Sequence, residues 1–181
     1  MIRGELVYLT PLDPANAEHV RAWINDPEVN QWLKSGHIPV SKAAELAFYD
    51  ESEQASRAGT AHNFEVHALA GNRLVGHCGL KGVDHLDRQA EIGLVIGEAT
   101  EWGKGYGGDA IRAVLGFGFM TLGLHRMWIG AFATNERALA LYRRLGFTDC
   151  GRDREAHFLH GEFHDLVRLD LLDREWRATL G

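Results

Sequence analysis

The 181-residue sequence predicts one domain of mixed α+β (mixed α/β) class, a mixed sheet with helices packed on it. Two observations predict this class. Apolar residues recur at helical spacing through the first sixty or so positions, then switch to near-alternation from His62. Strand-like segments then outnumber helical ones through the centre and the end. A third observation sets the domain count: no low-complexity linker, repeat or abrupt change of composition divides the chain. Hydrophobic residues make up 45% and charged residues 24%, a balance that lets a chain of this length bury a core without metal or disulfide staples.

Each element has a local reason. "ELVYLTPL" reads as a strand. "DPANAEHVRAWIND" follows as a helix, with Asp13 as N-cap, Pro14 at the first helical position, and a stripe of Ala17, Val20 and Ile24 beside Trp23. "DPEVNQWL" repeats the Asp-Pro start in a short helical turn, and "SKAAELAFYDESEQASRA" is a helix capped by Ser41. "HNFEVHALAGNRLVGHCGL" alternates and breaks at Gly71-Asn72, so it predicts a hairpin. "AEIGLVI" is a strand whose near-continuous apolar run points to a central place in the sheet. A glycine-rich stretch leads into a helix carrying Ile111, Val114, Leu115, Phe119 and Leu122 on one face and ending at Gly123. "HRMWIGAFA" is a strand. "NERALALYRRLGF" is a helix with Ala138, Leu141, Tyr142 and Leu145 inward and Gly146 at a left-handed C-cap. "EAHFLHGEFHDLVRLDLL" predicts a closing hairpin around His160-Gly161-Glu162, and "DREWRATLG" a solvated tail.

The bulk chemistry excludes several classes. A net charge of -6 and a pI near 5.9 argue against a nucleic-acid binder. Cys78 and Cys150 have no metal-type or redox spacing, and their sparsity fits a reducing cytoplasm. No apolar run approaches the roughly 18 residues of a membrane span, and "MIRGELVYLT" lacks a signal-peptide core. A cytoplasmic protein without membrane or nucleic-acid partners is expected. His157, His160 and His164 do not present a coherent metal-binding face across their hairpin, and no Cys or Glu cluster joins them, so no metal is expected.

The informative stretch is "GEATEWGKGYGGDAIRAVLGFGF", Gly97 to Phe119. Glycine weakens a helix interior by roughly 1 kcal/mol relative to alanine, yet Gly103, Gly105, Gly107 and Gly108 crowd a helix start. The first turn of a helix offers free backbone N–H groups and the positive end of its dipole, and glycines let an anion approach them. "GKGYGG" is therefore a good pyrophosphate site, with Lys104 as an added point charge; tight packing alone would also account for the glycines. A nucleotide-hydrolase loop is excluded because Lys104 precedes Gly105 and no Gly-Lys-Ser/Thr exists. Gly103-x-Gly105-x-x-Gly108 fits the dinucleotide fingerprint formally, but it lies in mid-chain after antiparallel-looking hairpins, with no acidic residue ending the next strand.

Taken together, "EIGLVIGEATEWGKGYGGDAI" and "NERALALYRRLGF" resemble the GNAT N-acetyltransferase superfamily, in the branch that includes ribosomal-protein N-terminal-amine and spermidine acetyltransferases. The resemblance extends over most of the chain. It implies a single GNAT domain, with a twisted sheet of about six or seven strands, a central splay and about four helices. It divides the chain into an acceptor-side part over 1–60, an acetyl-CoA-binding core over 62–147 and a C-terminal hairpin and tail over 148–181. The family's pyrophosphate turn falls on Trp102-Gly103-Lys104-Gly105-Tyr106-Gly107, with Trp102 in place of the usual Gln or Arg. Backbone amides from Gly103 to Gly108 are implied to hold the pyrophosphate. The strand around Leu94, Val95 and Ile96 is implied to splay, pair with the pantetheine arm and polarise the thioester carbonyl.

Further roles follow from the same resemblance. Asn135, with Ala138 in the same helix, is implied to contact the cofactor arm; a plain N-cap is the structural alternative for Asn135. Tyr142 is implied to protonate the departing CoA thiolate, against a core aromatic as the alternative. Glu91 matches an acidic position used as base in some relatives, against a strand-end carboxylate in a salt bridge; His77, His164 and Asp165 are other candidates. Cys78 has no activating partner in sequence, so direct transfer to a primary amine is expected. The acceptor is implied to enter between the segment Trp23 to Leu33 and the hairpin near Phe158 to Asp165, where Asp26, Glu28, Glu162 and Asp165 would attract a cation. An acyl-CoA-binding regulator without turnover is the alternative function, and a homodimer is compatible with the family.

Overall fold

The structure, a computed structural model, describes residues 1–34 and 38–180; Ser35–His37 and Gly181, within the expected N-terminal segment and tail, lie outside the described residues. Eight strands form one sheet: β1 (Ile2–Arg3), β2 (Val7–Pro11), β3 (Ala61–Ala68), β4 (Arg73–Asp84), β5 (Gln89–Ile96), β6 (Arg126–Phe132), β7 (Thr148–Leu159) and β8 (Glu162–Leu172). Their order is β1-β2-β3-β4-β5-β6-β8-β7. Every neighbouring pair is antiparallel except β5 and β6, which run parallel because a helical crossover joins them. The helices are α1 (Ala17–Ile24), α2 (Pro27–Asn30), α3 (Lys42–Ala58), α4 (Tyr106–Gly116), α5 (Glu136–Arg144) and α6 (Asp173–Ala178).

Local chemistry sets these boundaries. Asp13 accepts from the Ala15 N–H, Asp26 from Glu28 and Ser41 from Ala44, so these three expected helical starts have their side-chain caps. Gly71 and Asn72 both take positive φ, the geometry of a tight hairpin turn between β3 and β4. Helix α4 passes into a π turn over Phe117–Thr121, where the Leu122 N–H reaches back to the Phe117 carbonyl. A Cβ at Gly118 would sit 2.5 Å from Met127 Sδ, so this turn lies directly on β6.

The core forms where α4 lies across the sheet. Leu9, Leu80, Ile92, Met127, Leu169 and Leu171 meet Ile111, Val114 and Leu115, all at 2% exposure or less. Each such aliphatic side chain stabilises the fold by about 1.5–3 kcal/mol. A buried carboxylate orients α4. Asp109, in its first turn, accepts from the backbone N–H groups of Glu5, Leu6 and Val7 at 3.2, 2.8 and 3.0 Å. These bonds tie the glycine-turned helix start to the β1–β2 connection.

A short strand, β1, precedes the expected first strand, which is β2. Three expectations need correction. In α1, Trp23 is buried with Ala17 and Val20, and Ile24 is only partly buried. In α5 the buried aliphatic is Leu139. The segment after β8 is helix α6, with Trp176 buried against Phe119 at 5.2 Å between ring centres.

Candidate active site

The parallel pair β5–β6 is joined over three residues only, Gln89↔Arg126, Ala90↔Met127 and Glu91↔Trp128. Beyond Glu91 the strands part. From Ile92 to Ile96 strand β5 keeps only β4 as a partner, and from Ile129 to Phe132 strand β6 keeps only β8. Two strand edges therefore face each other with backbone donors and acceptors that no strand satisfies. Buried backbone polar groups require partners, so the opening is built to take an extended, hydrogen-bonding ligand.

A cavity of about 270 Å³ fills this opening. Leu94, Val95 and Ile96 form one wall, and Gly130 and Ala131 of β6 form the other. The loop and first turn of α4 close one end, and Asn135, Ala138, Leu141 and Tyr142 of α5 lie across it. Val29, Trp32 and Leu33 reach it from the α2 side.

The glycines divide into two classes. Gly103 and Gly105 have φ of +79° and +91°, which side chains oppose. Gly107 and Gly108 are helical, and a Cβ on either would lie 3.2 Å from Leu94 Cδ2 or Leu141 Cδ1. The first pair aims the loop, and the second lets α4 approach β5 and α5. Gly105 is the N-cap and has no side chain to cap with. The Tyr106, Gly107 and Gly108 N–H groups have no acceptor within the helix, and these residues line the cavity.

Trp102 donates its indole N–H to the Ile96 carbonyl at 3.0 Å, pinning the loop to the end of β5. Lys104 does not line the cavity. Its ammonium lies 3.2 Å from Glu101, which also takes a bidentate bond from Arg73 at 3.0 and 3.3 Å. The hydrogen bonds from Arg73, then Lys104, hold the Glu101 carboxyl below the usual carboxylate range. Sequence reasoning missed two basic residues that do line the cavity, Arg137 and Arg144. The signal was present in "NERALALYRR", where they stand seven apart, hence on one helix face.

Asn135 caps α5 by accepting from Ala138 N–H at 3.1 Å, and it also lines the cavity. Tyr142 is 6% exposed at the cavity wall, and burial pushes its phenol pKa up, so it stays protonated across the neutral range. Burial also pushes the Cys78 thiol up to about 12, which removes it as a thiolate nucleophile at neutral pH.

The other candidates are not brought into the cavity. Glu91 stands where β5 and β6 part, with its carboxylate 3.4 Å from Lys34 Nζ and 3.0 Å from Lys81 Nζ. His77 lies beside Tyr49, ring centres 6.0 Å apart, and burial pulls it down to about 4. His157 and His164 are direct cross-strand partners and both pack on Phe132. Asp165 is occupied by Arg152 at 2.6 Å and the Glu155 N–H at 2.7 Å.

The sheet is opened at its one parallel pair, with a glycine-turned helix start at the end of the opening, an arrangement suited to an extended ligand that carries an anionic group. Residues 7–148 match the family described as "Acetyltransferase (GNAT) domain", and the chain belongs to that family. It is 32% identical over 179 residues to the putative ribosomal N-acetyltransferase YdaF of Bacillus subtilis (strain 168), covering 97% of this chain and 96% of the relative. It is 25% identical over 176 residues to the spermidine N(1)-acetyltransferase of Escherichia coli (strain K12), covering 97% and 85%. A Vibrio cholerae spermidine N-acetyltransferase solved with CoA and spermine shares the fold, with a TM-score of 0.84, 22% identity, and coverage of 95% and 98%. The protein is an N-acetyltransferase, and acetyl-CoA is its co-substrate.

Proposed function

We propose that this chain transfers acetyl from acetyl-CoA directly to the primary amine of a peptide or protein N-terminus, with a polyamine as a poorer acceptor. Acetyl-CoA supplies an activated thioester. The chain's own residues supply position: the open edges of β5 and β6 hold the arm, and the first turn of α4 holds the phosphates. Tyr142, protonated and buried beside the opening, donates to the leaving sulfur. The proton of the amine leaves through water at the splay. Glu91, shared between two ammonium groups, tunes that face rather than accepting directly.

The observation that carries the acceptor reading is the chemistry of the α2 side. Val29, Trp32 and Leu33 line it, and Phe132, Leu159 and Leu166 form an apolar cluster with Trp32. Two of the four carboxylates expected to draw a polycation are committed elsewhere, Asp26 to capping α2 and Asp165 to Arg152, which leaves Glu28 and Glu162; Glu91, beside them, is held by Lys34 and Lys81. His157 is held neutral by burial and by the charge of Lys34. A protein at this face takes an amine on an apolar body more readily than a chain of ammonium groups. The 32% identity to the putative ribosomal enzyme points the same way. CoA release, measured with a thiol reagent at saturating acetyl-CoA, tests it on free-N-terminus peptides, spermidine and amino sugars. A kcat/KM for the best peptide at least about 10-fold above spermidine is expected; the reverse order overturns the acceptor reading. Absence of thiol release from every amine overturns turnover and leaves the CoA-binding regulator.

A further inference from the structure

We infer that Arg137, stacked on Trp102, is the phosphate-binding cation of this cofactor site, supplying from α5 the charge that position 102 lacks. The inference rests on the acetyl-CoA reading of the cavity and adds a residue that the glycine-turn motif does not contain. Three observations carry it. The Arg137 guanidinium carbon lies 3.9 Å from the centre of the Trp102 ring, a cation–π stack that fixes a long side chain at the cavity lip. Trp102 cannot reach an anion with its own donor, because its indole N–H is spent on the Ile96 carbonyl. Arg73 and Lys104, close to the glycine turn in the fold or the chain, are turned to Glu101, and neither lines the cavity. Among the described residues Arg137 and Arg144 have no acidic partner, and both line the cavity.

The geometry gives Trp102 two tasks. Its edge holds the end of β5, and its face holds Arg137. One side chain thereby couples the strand that meets the pantetheine arm to the cation that meets the phosphates. A guanidinium stacked on an aromatic face keeps its forked N–H donors free at its edge, the arrangement suited to phosphate oxygens. Arg144, two turns further along α5, extends the positive lip.

The test is calorimetric and compares ligands with and without phosphate. CoA and pantetheine are titrated into the wild type, Arg137→Ala, Arg137→Lys and Arg177→Ala, the last a remote surface arginine paired with Asp173. Arg137→Ala is expected to raise Kd for CoA by about 10- to 100-fold, the scale of a charge-assisted hydrogen bond, and to leave Kd for pantetheine within about twofold. Arg137→Lys recovers part of the loss, and Arg177→Ala shows none. Trp102→Leu, which removes the stack without adding a polar group, is expected to lower CoA affinity and to flatten its dependence on salt. An Arg137→Ala variant that binds CoA as the wild type does overturns the inference, as does equal loss for CoA and pantetheine, which would mark a packing role. If the wild type itself binds no CoA, the cofactor reading fails first.

Discussion

The two halves of the cleft are built on different principles. The cofactor half, from Leu94 through the glycine turn to α5, presents backbone groups and two uncompensated arginines. The acceptor half, from α2 to the β7–β8 hairpin, presents side chains, and its charged ones are largely paired with each other. Backbone recognition suits a ligand that never changes; side-chain recognition lets one scaffold be fitted to different amines by small replacements. The contrast explains why one cofactor site is compatible with acceptors as unlike as a ribosomal protein and a polyamine.

The contrast can be broken from either side, and the largest effect is expected in the chemistry. Tyr142→Phe removes the proposed proton donor and keeps the ring, so kcat should fall about 100-fold or more, with KM for acetyl-CoA changed by less than about threefold; steady-state kinetics on the best acceptor checks it. A fall in affinity with kcat intact would return Tyr142 to the core. Next is Gly105→Val. It forces a β-branched residue to φ of +91° and places its Cβ 2.9 Å from Leu6 Cδ1. Thermal unfolding should show a loss of about 2–3 kcal/mol, and CoA should no longer raise Tm. The same substitution at exposed Gly151, which has open space for a side chain, is the control.

Asp109→Asn tests the anchor behind the glycine turn. It turns an amide toward three backbone donors and should cost about 2–3 kcal/mol in urea unfolding. A neutral result would mean the β1–β2 connection is held by packing alone. The smallest effect concerns the sheet face beneath α3. His77 has a folded pKa near 4 against 6.5 unfolded, so the unfolded state takes up the proton first on acidification. Its stabilising contribution is fully present above about pH 6.5 and is lost as pH falls toward 4, at a cost of about 1–3 kcal/mol. The urea midpoint should therefore drop between pH 7 and pH 5 by less in His77→Gln than in the wild type.

Legibility in the sequence followed the same division. Gly103, Gly105 and Gly146 were readable because positive φ leaves glycine as the residue of choice, and Asn135 because an N-cap has a narrow chemistry. The opening at Leu94–Ile96 was reached through the paired motifs, not through periodicity, since an unpaired edge leaves no mark on a strand's own pattern. The turn of Lys104 toward Glu101, only three residues away, was not legible, because proximity to the glycines said nothing of where the ammonium points. Arg137 was missed for the converse reason: its stacking partner lies 35 positions earlier and meets it only in the fold. The solvated-tail expectation failed at Trp176, whose burial depends on Phe119 of the π turn. The strand β7 before Glu155 was invisible because its exposed run, Asp149 to Arg154, carries charge on both faces.

The central claim is that unpaired backbone groups at the splay and at the start of α4 receive the coenzyme. Hydrogen exchange of individual amides, followed with and without CoA, tests this most directly. New protection confined to the stretch 92–96, to Ile129–Phe132 and to Tyr106, Gly107 and Gly108 is the predicted result. CoA binding that leaves these amides exchanging as before, or that protects the α2 side instead, contradicts it.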